Sequence, residues 1–164
     1  MIEMYIYGLA LDEDSQAPVL ILKDKEEKQV LPIWIGAMEA VAISMVLNNV
    51  RLPRPMTHDL LLQAIQALDG EVRCVDVVRL QDNTYFAEIE ILQGNKLKRI
   101  DSRPSDAIAL GLRAQVPIRV SKDVLAKILE VREKQYQTVL KTEDAQQWNE
   151  ILEKYSLDDL KYKM

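Results

Sequence analysis

A chain of 164 residues that is 48% hydrophobic can bury one substantial core and suits a single domain with at most an appendage. Its net charge of −5 argues against a surface that grips nucleic acid everywhere through phosphate neutralisation, and no run approaches the roughly 20 apolar residues that cross a bilayer. One cysteine, Cys74, and one histidine, His58, exclude an internal disulfide and nearly exclude a Cys/His zinc site, and the start Met1-Ile2-Glu3-Met4 lacks the basic-then-apolar pattern of a secretory signal, so a cytoplasmic protein is expected.

In chain order, residues 4–11 read as a strand, Asp12-Glu13-Asp14-Ser15 as a charged turn, 17–22 as a second strand, 23–28 as another charged turn, and 30–35 as a third strand ending at Gly36. Residues 37–50 combine high helix propensity with few polar groups, chiefly Glu39 and Ser44. Such a helix belongs at the centre of a fold or in a subunit contact, which points to a homodimer or higher homo-oligomer. Glu39 is the oddity: solvated, it is a first-turn acid favoured by the helix dipole, but buried it needs an arginine or a metal.

Arg51-Leu52-Pro53-Arg54-Pro55-Met56 is a rigid connector, because its prolines forbid helical hydrogen bonds. Thr57 is the expected cap of the next helix, with His58 and Asp59 in its first turn and an apolar stripe at Leu61, Ala64, Ile65 and Leu68 that ends at Asp69-Gly70. Residues 71–80 and 84–92 form a hairpin around Gln81-Asp82-Asn83, and 96–100 add a third strand. That strand leads into Asp101-Ser102-Arg103 and a helix that starts at Pro104 and runs to Ala114, followed by a short strand in 116–121. Residues 122–139 read as a charged amphipathic helix and a further helix follows a break near 141–143. The expected fold is α+β, a mixed and largely antiparallel sheet with helices packed on it over residues 1–121, and a helical C-terminal extension over 122–164.

Three helix starts carry surplus polar groups: Glu39, His58 with Asp59, and Asp101, Arg103, Ser105 and Asp106 around Pro104. Turns on one edge of a sheet can converge in a cleft. Converging, Glu39, Asp59, Asp101 and Asp106 would offer oxygen ligands to a hard divalent cation such as Mg²⁺ or Mn²⁺, while Arg54, Arg103 and Ser105 would face phosphate oxygens. Asp101, Asp106, Glu39 and a neutral His58 are then candidate catalytic groups for metal-assisted phosphodiester hydrolysis. The competing explanation is purely structural: Thr57 and Asp59 as capping groups, and Asp101, Arg103 and Asp106 as a salt-bridged latch. No phosphate-binding Gly-rich loop, HExxH or nucleophile motif is present, and no organic cofactor is implied.

The blocks Pro32-Ile33-Trp34-Ile35-Gly36 with Glu39, Arg54-Pro55-Met56-Thr57-His58-Asp59-Leu60-Leu61, Ile100-Asp101-Ser102-Arg103-Pro104-Ser105-Asp106-Ala107 and Pro117-Ile118 occur in an order that resembles the bifunctional nuclease domain family. The resemblance covers roughly residues 1–121. It implies a compact, usually oligomeric α+β domain and cleavage of DNA and RNA with little sequence preference, so nucleic acid is the expected partner and no membrane is. The alternative function class is a non-catalytic oligomeric module in which the same cleft binds a small anion or a partner protein.

Overall fold

The computed structural model describes residues 1–129; the rest of the expected helical extension, 130–164, lies outside the described residues. Three strands, β1 (Ile2–Leu11), β2 (Pro18–Asp24) and β3 (Val30–Trp34), form an antiparallel meander, with the charged segments 12–15 and 25–28 at its turns. Helices α1 (Ala37–Leu47) and α2 (Thr57–Ala67) follow, separated by the proline connector. A second meander, β4 (Gly70–Gln81), β5 (Thr84–Gln93) and β6 (Lys96–Ser102), leads into α3 (Pro104–Ala114), the short strand β7 (Ile118–Val120) and α4 (Lys122–Leu129).

The two meanders join through β7, which inserts between them to give the order β3-β2-β1-β7-β4-β5-β6. It pairs antiparallel with β1 and parallel with β4, so the sheet is mixed and has a single parallel pair. That pair requires a long connection, and α3 supplies it by crossing the sheet from the outer strand β6. The sheet curls enough for the Tyr85 hydroxyl on β5 to donate to the carbonyl of Pro32 on β3 at 3.1 Å. The fold is α+β, as expected.

One cluster of buried side chains sits between the sheet and the helices, with Leu9, Leu20, Leu22, Leu31, Val75, Val77 and Val120 from the strands and Ile43, Ile108 and Leu110 from α1 and α3. Each such burial is worth about 1.5–3 kcal/mol relative to exposure. Helix α3 lies at the centre, with residues 107–111 all buried. Gly111 makes the approach possible, since a Cβ there would lie 2.9 Å from Val75 Cγ2. Helix α1 is equally central: Ala40, Val41, Ala42, Ile43, Ser44 and Met45 are buried in the chain's own fold, so its apolar character needs no second subunit. Val124, Leu125 and Ile128 place α4 in the same core.

Helix α2 departs from its expected packing. Leu61 and Leu68 are 42% and 69% exposed, and the residues that meet the core are Leu62 and Ile65. The stripe is rotated because α2 leans on α3 and β4 from one side only. Thr57 is the first helical residue rather than the cap, and the free backbone N–H of Met56 is taken instead by the Asp59 carboxylate at 2.9 Å. Trp34 lies on the sheet face away from the helices, 43% exposed, with its indole N–H donating to Asp12 at 3.3 Å. No helix among the described residues is long and apolar enough to cross a membrane.

Candidate active site

The starts of α1, α2 and α3 meet. Arg103 is the extended residue before Pro104 (φ −67°, ψ 142°), the geometry that a following proline favours. From there its guanidinium spans two helices: Nε donates to Asp106 Oδ2 at 2.7 Å, and Nη2 lies 3.1 Å from Glu39 Oε1 on α1. The other oxygen of Asp106 lies 3.2 Å from His58 Nε2 on α2. Glu39, His58, Arg103 and Asp106 are therefore one connected network. Their side chains are 20%, 13%, 67% and 31% exposed, so the carboxylates and imidazole are recessed while the guanidinium faces solvent. Hydrogen bonding to Asp106, then the charges of Asp106 and Glu39, raise the Arg103 pKa and fix it as a cation.

Gly36 shapes the α1 side of the network. The Glu39 carboxylate folds back over it, into the space that any Cβ at position 36 would fill. On the α2 side, Asp106 can only accept a hydrogen bond when ionised, so a neutral His58 places its proton on Nε2 and leaves a lone pair on Nδ1. Nδ1 makes no hydrogen bond among the described residues, which leaves it open to a proton donor.

Asp59 is held elsewhere. Its oxygens accept from Met56 N and from Arg113 Nε at 2.6 Å. Arg113, only 7% exposed, also donates from Nη1 to the carbonyls of Ala42 at 3.2 Å and Ala109 at 2.9 Å, and so ties α1, α2 and α3 together. Sequence reasoning passed over Arg113; the only signal was a basic residue in the last turn of an otherwise buried helix. Burial pulls the Asp59 pKa upward, but the Met56 N–H and Arg113 outweigh it and the net shift is downward. A depressed carboxylate stabilises the fold above its unfolded value, near about 4, and loses that contribution as pH falls through the lower folded value. Asp59→Asn is thus expected to lower Tm at pH 7 and to converge on the wild type in melts run toward pH 3. A Tm gap that stayed constant with pH would contradict this role.

Asp101 does not join the network. It is paired opposite Glu88 on β5, and Asp76 on β4 is paired with the same Glu88. Paired residues share a sheet face and neighbours alternate, so Asp101 lies on the face away from the helices. Ser105 is buried in the first turn of α3, and Arg54 stands on the proline connector beside a cleft that Asp59 also lines.

Among the described residues, the three-residue group whose possible ligand atoms all lie within 4.8 Å of one another is Cys74, Asp76 and Glu90; Asp59, Asp101 and Asp106 form no such group. Arginines already neutralise this cluster. Arg119 holds both oxygens of Asp76 at 2.7 and 2.8 Å and donates to Cys74 Sγ at 2.8 Å, and Arg99 reaches Glu90 at 3.1 Å. Burial, followed by the Asp76 charge, pushes the Cys74 thiol up to about 11, so at ordinary pH it is a protonated, inert group. It is expected to react with a thiol reagent at pH 8 only after unfolding; immediate labelling of native protein would contradict that.

An arginine likewise engages the carboxylates of the network among the three helix starts. Two carboxylates, Asp106 and Glu39, converge on one position that the Arg103 guanidinium takes, and a hard cation prefers such oxygen donors.

The family model described as the bifunctional nuclease domain matches residues 20–135. An uncharacterized protein of Mycobacterium tuberculosis is 34% identical over 163 residues, covering 97% of this chain and 98% of that one. Bifunctional nuclease 1 of Arabidopsis thaliana is 29% identical over 119 residues, 70% of this chain but 37% of the plant protein, and bifunctional nuclease 2 of the same plant is 34% identical over 96 residues, 57% of this chain and 29% of the relative. With most of its length matched by the domain model and nearly all of it by the mycobacterial protein, the chain belongs to the bifunctional nuclease domain family.

Proposed function

We propose that this chain is a nuclease that hydrolyses phosphodiester bonds of DNA and RNA with low sequence specificity, at the network of Glu39, His58, Arg103 and Asp106. The observation that carries the reading is that residues from three helix starts, 39 to 106 in the chain, share one hydrogen-bonded network with a solvent-facing cation and an open imidazole nitrogen. His58 Nδ1 takes a proton from water as the water oxygen attacks phosphorus and the bond to the leaving oxygen breaks; the same proton, or one from solvent, goes to that oxygen. Asp106 holds the imidazole in the required tautomer, and the Arg103 guanidinium neutralises the charge that builds on the non-bridging phosphate oxygens. Glu39 fixes the second arm of Arg103.

The carboxylates of Asp106 and Glu39 would be the ones to hold a divalent ion, and such an ion would supply added positive charge to the reaction. The helix-start dipoles act in the same direction, favouring phosphate near the site. Nothing in the network reads a base, which is why low sequence specificity follows.

The experiment incubates highly purified protein with labelled RNA and single-stranded DNA, with Mg²⁺ or Mn²⁺ and with a chelator, beside Arg103→Ala and Asp106→Asn. Cleavage that disappears in the folded variants supports the assignment. Equal cleavage by wild type and variants assigns the activity to a contaminant or another site.

A further inference from the structure

Beside the network, on the other side of Asp59, lies a cleft of about 390 Å³, inside the roughly 300–1,000 Å³ span of small-molecule sites. Three arginines line it: Arg51 and Arg54 on the proline connector and Arg113 on α3. Arg51 and Arg54 are exposed and have no hydrogen-bond or ion-pair partner among the described residues. Arg113 is different in kind. Its Nε and Nη1 are committed to Asp59, Ala42 and Ala109, whereas Nη2 makes no hydrogen bond among the described residues. No side-chain nitrogen or oxygen that is sealed from solvent lacks a partner among the described residues, so this arm of a side chain only 7% exposed keeps some contact with solvent in a residue that lines the cleft. The single carboxylate there, Asp59, has both oxygens occupied, and the cleft is left with a surplus of positive charge in a protein of net charge −5.

The remaining wall is mostly apolar, with the Gln63 amide as its polar exception. Met45, Val46 and Met56 line it, and Val50 and Leu52 stand 47% and 41% exposed beside the arginines. Polarisable thioethers and branched aliphatics suit the flat face of a ring, and unpaired guanidinium groups suit a phosphate. Pro53 and Pro55 stiffen the segment that carries Arg51 and Arg54, so little entropy is lost when they close on a ligand.

We infer that this cleft binds one nucleotide, its phosphate on Arg51, Arg54 and the free arm of Arg113 and its base against the methionine and valine wall. The nucleotide is a free nucleoside monophosphate or one residue of a strand held at the neighbouring network. The site does not depend on hydrolysis occurring next to it.

The test is calorimetric titration of the full chain with adenosine and uridine monophosphates, inorganic phosphate and adenosine, in the wild type, the Arg51→Ala/Arg54→Ala double variant and Asp106→Asn. The monophosphates are expected to bind at least about tenfold more tightly than either phosphate or nucleoside alone, and the double variant to lose about tenfold or more, each tenfold step being 1.4 kcal/mol. Its Tm should match the wild type, because neither arginine has a partner among the described residues to lose. Unchanged monophosphate binding in the folded double variant, phosphate binding as tight as the nucleotide, or no binding at all overturns the inference. Displacement of bound monophosphate by a short single strand assigns the site to the strand; a lack of displacement assigns it to free nucleotide. Undiminished cleavage by Asp106→Asn would remove the nuclease reading and leave this site untouched.

Discussion

Asp106→Asn is expected to lower kcat/KM for phosphodiester cleavage about 10²–10³-fold, the range associated with losing an oriented general base or an electrostatic stabiliser, while Tm stays close to the wild type. The amide keeps the size of the carboxylate but changes what it does for two neighbours. Its nitrogen cannot accept from Arg103 Nε, now at 2.7 Å from Oδ2, and its neutral oxygen is a weaker anchor for the His58 N–H at 3.2 Å. The fold should tolerate this, because Asp106 is partly exposed and Arg103 is 67% exposed, and solvated pairs contribute little to stability. Arg103→Ala should show a loss of similar size, and Arg103→Lys should recover only part of it, since an ammonium cannot bridge Asp106 and Glu39 as the planar fork does. Rates measured on labelled RNA, with Tm recorded for each variant, check both statements.

Arg119→Leu should give the largest loss of stability. Asp76 is 2% exposed and depends on the two hydrogen bonds from Arg119 for compensation. Removing one partner of a buried pair leaves an uncompensated charge and costs about 3–5 kcal/mol. Arg119 is itself 34% exposed, so water can reach the gap and the lower end applies. About 3 kcal/mol lowers Tm by roughly 6–12 °C in a chain of this size. The double replacement Asp76→Ala/Arg119→Leu should recover much of that, because it removes the stranded charge along with its partner without overfilling the Asp76 site. Denaturant melts of the single and double variants decide it; a single variant as stable as the wild type would show that the pair is not structural.

The elements were legible because their punctuation is chemical. Charged or Gly/Asn turns separate the strands at 12–15, 23–28, 81–83 and 93–95, and Pro104 marks the start of α3 to the residue. The sheet order was not legible, because the three-residue strand β7 has no pattern that selects β1 and β4 as neighbours. Nor were the buried ion pairs. Arg119 and Asp76 are 43 positions apart and Arg113 and Asp59 are 54 apart, so only the folded chain introduces them. At the site, Glu39, His58, Arg103 and Asp106 could be grouped in advance because each lies at a helix start, but the same logic grouped Asp59 with them, and Asp59 is held by Met56 and Arg113 instead. Asp101 could not be excluded from them until strand β6 extended to Ser102, which gives Asp101 the opposite face from its neighbours Ile100 and Ser102.

The central claim is that His58 and Asp106 act as one unit in cleavage, and a double-mutant cycle tests it most directly. The quantity is kcat/KM on labelled RNA for wild type, His58→Gln, Asp106→Asn and the combined variant. Residues that serve one step as a unit lose their effect together, so the combined variant should fall no more than about threefold below the weaker single variant. A combined loss equal to the product of the two single losses, or cleavage undiminished in Asp106→Asn, would contradict the account.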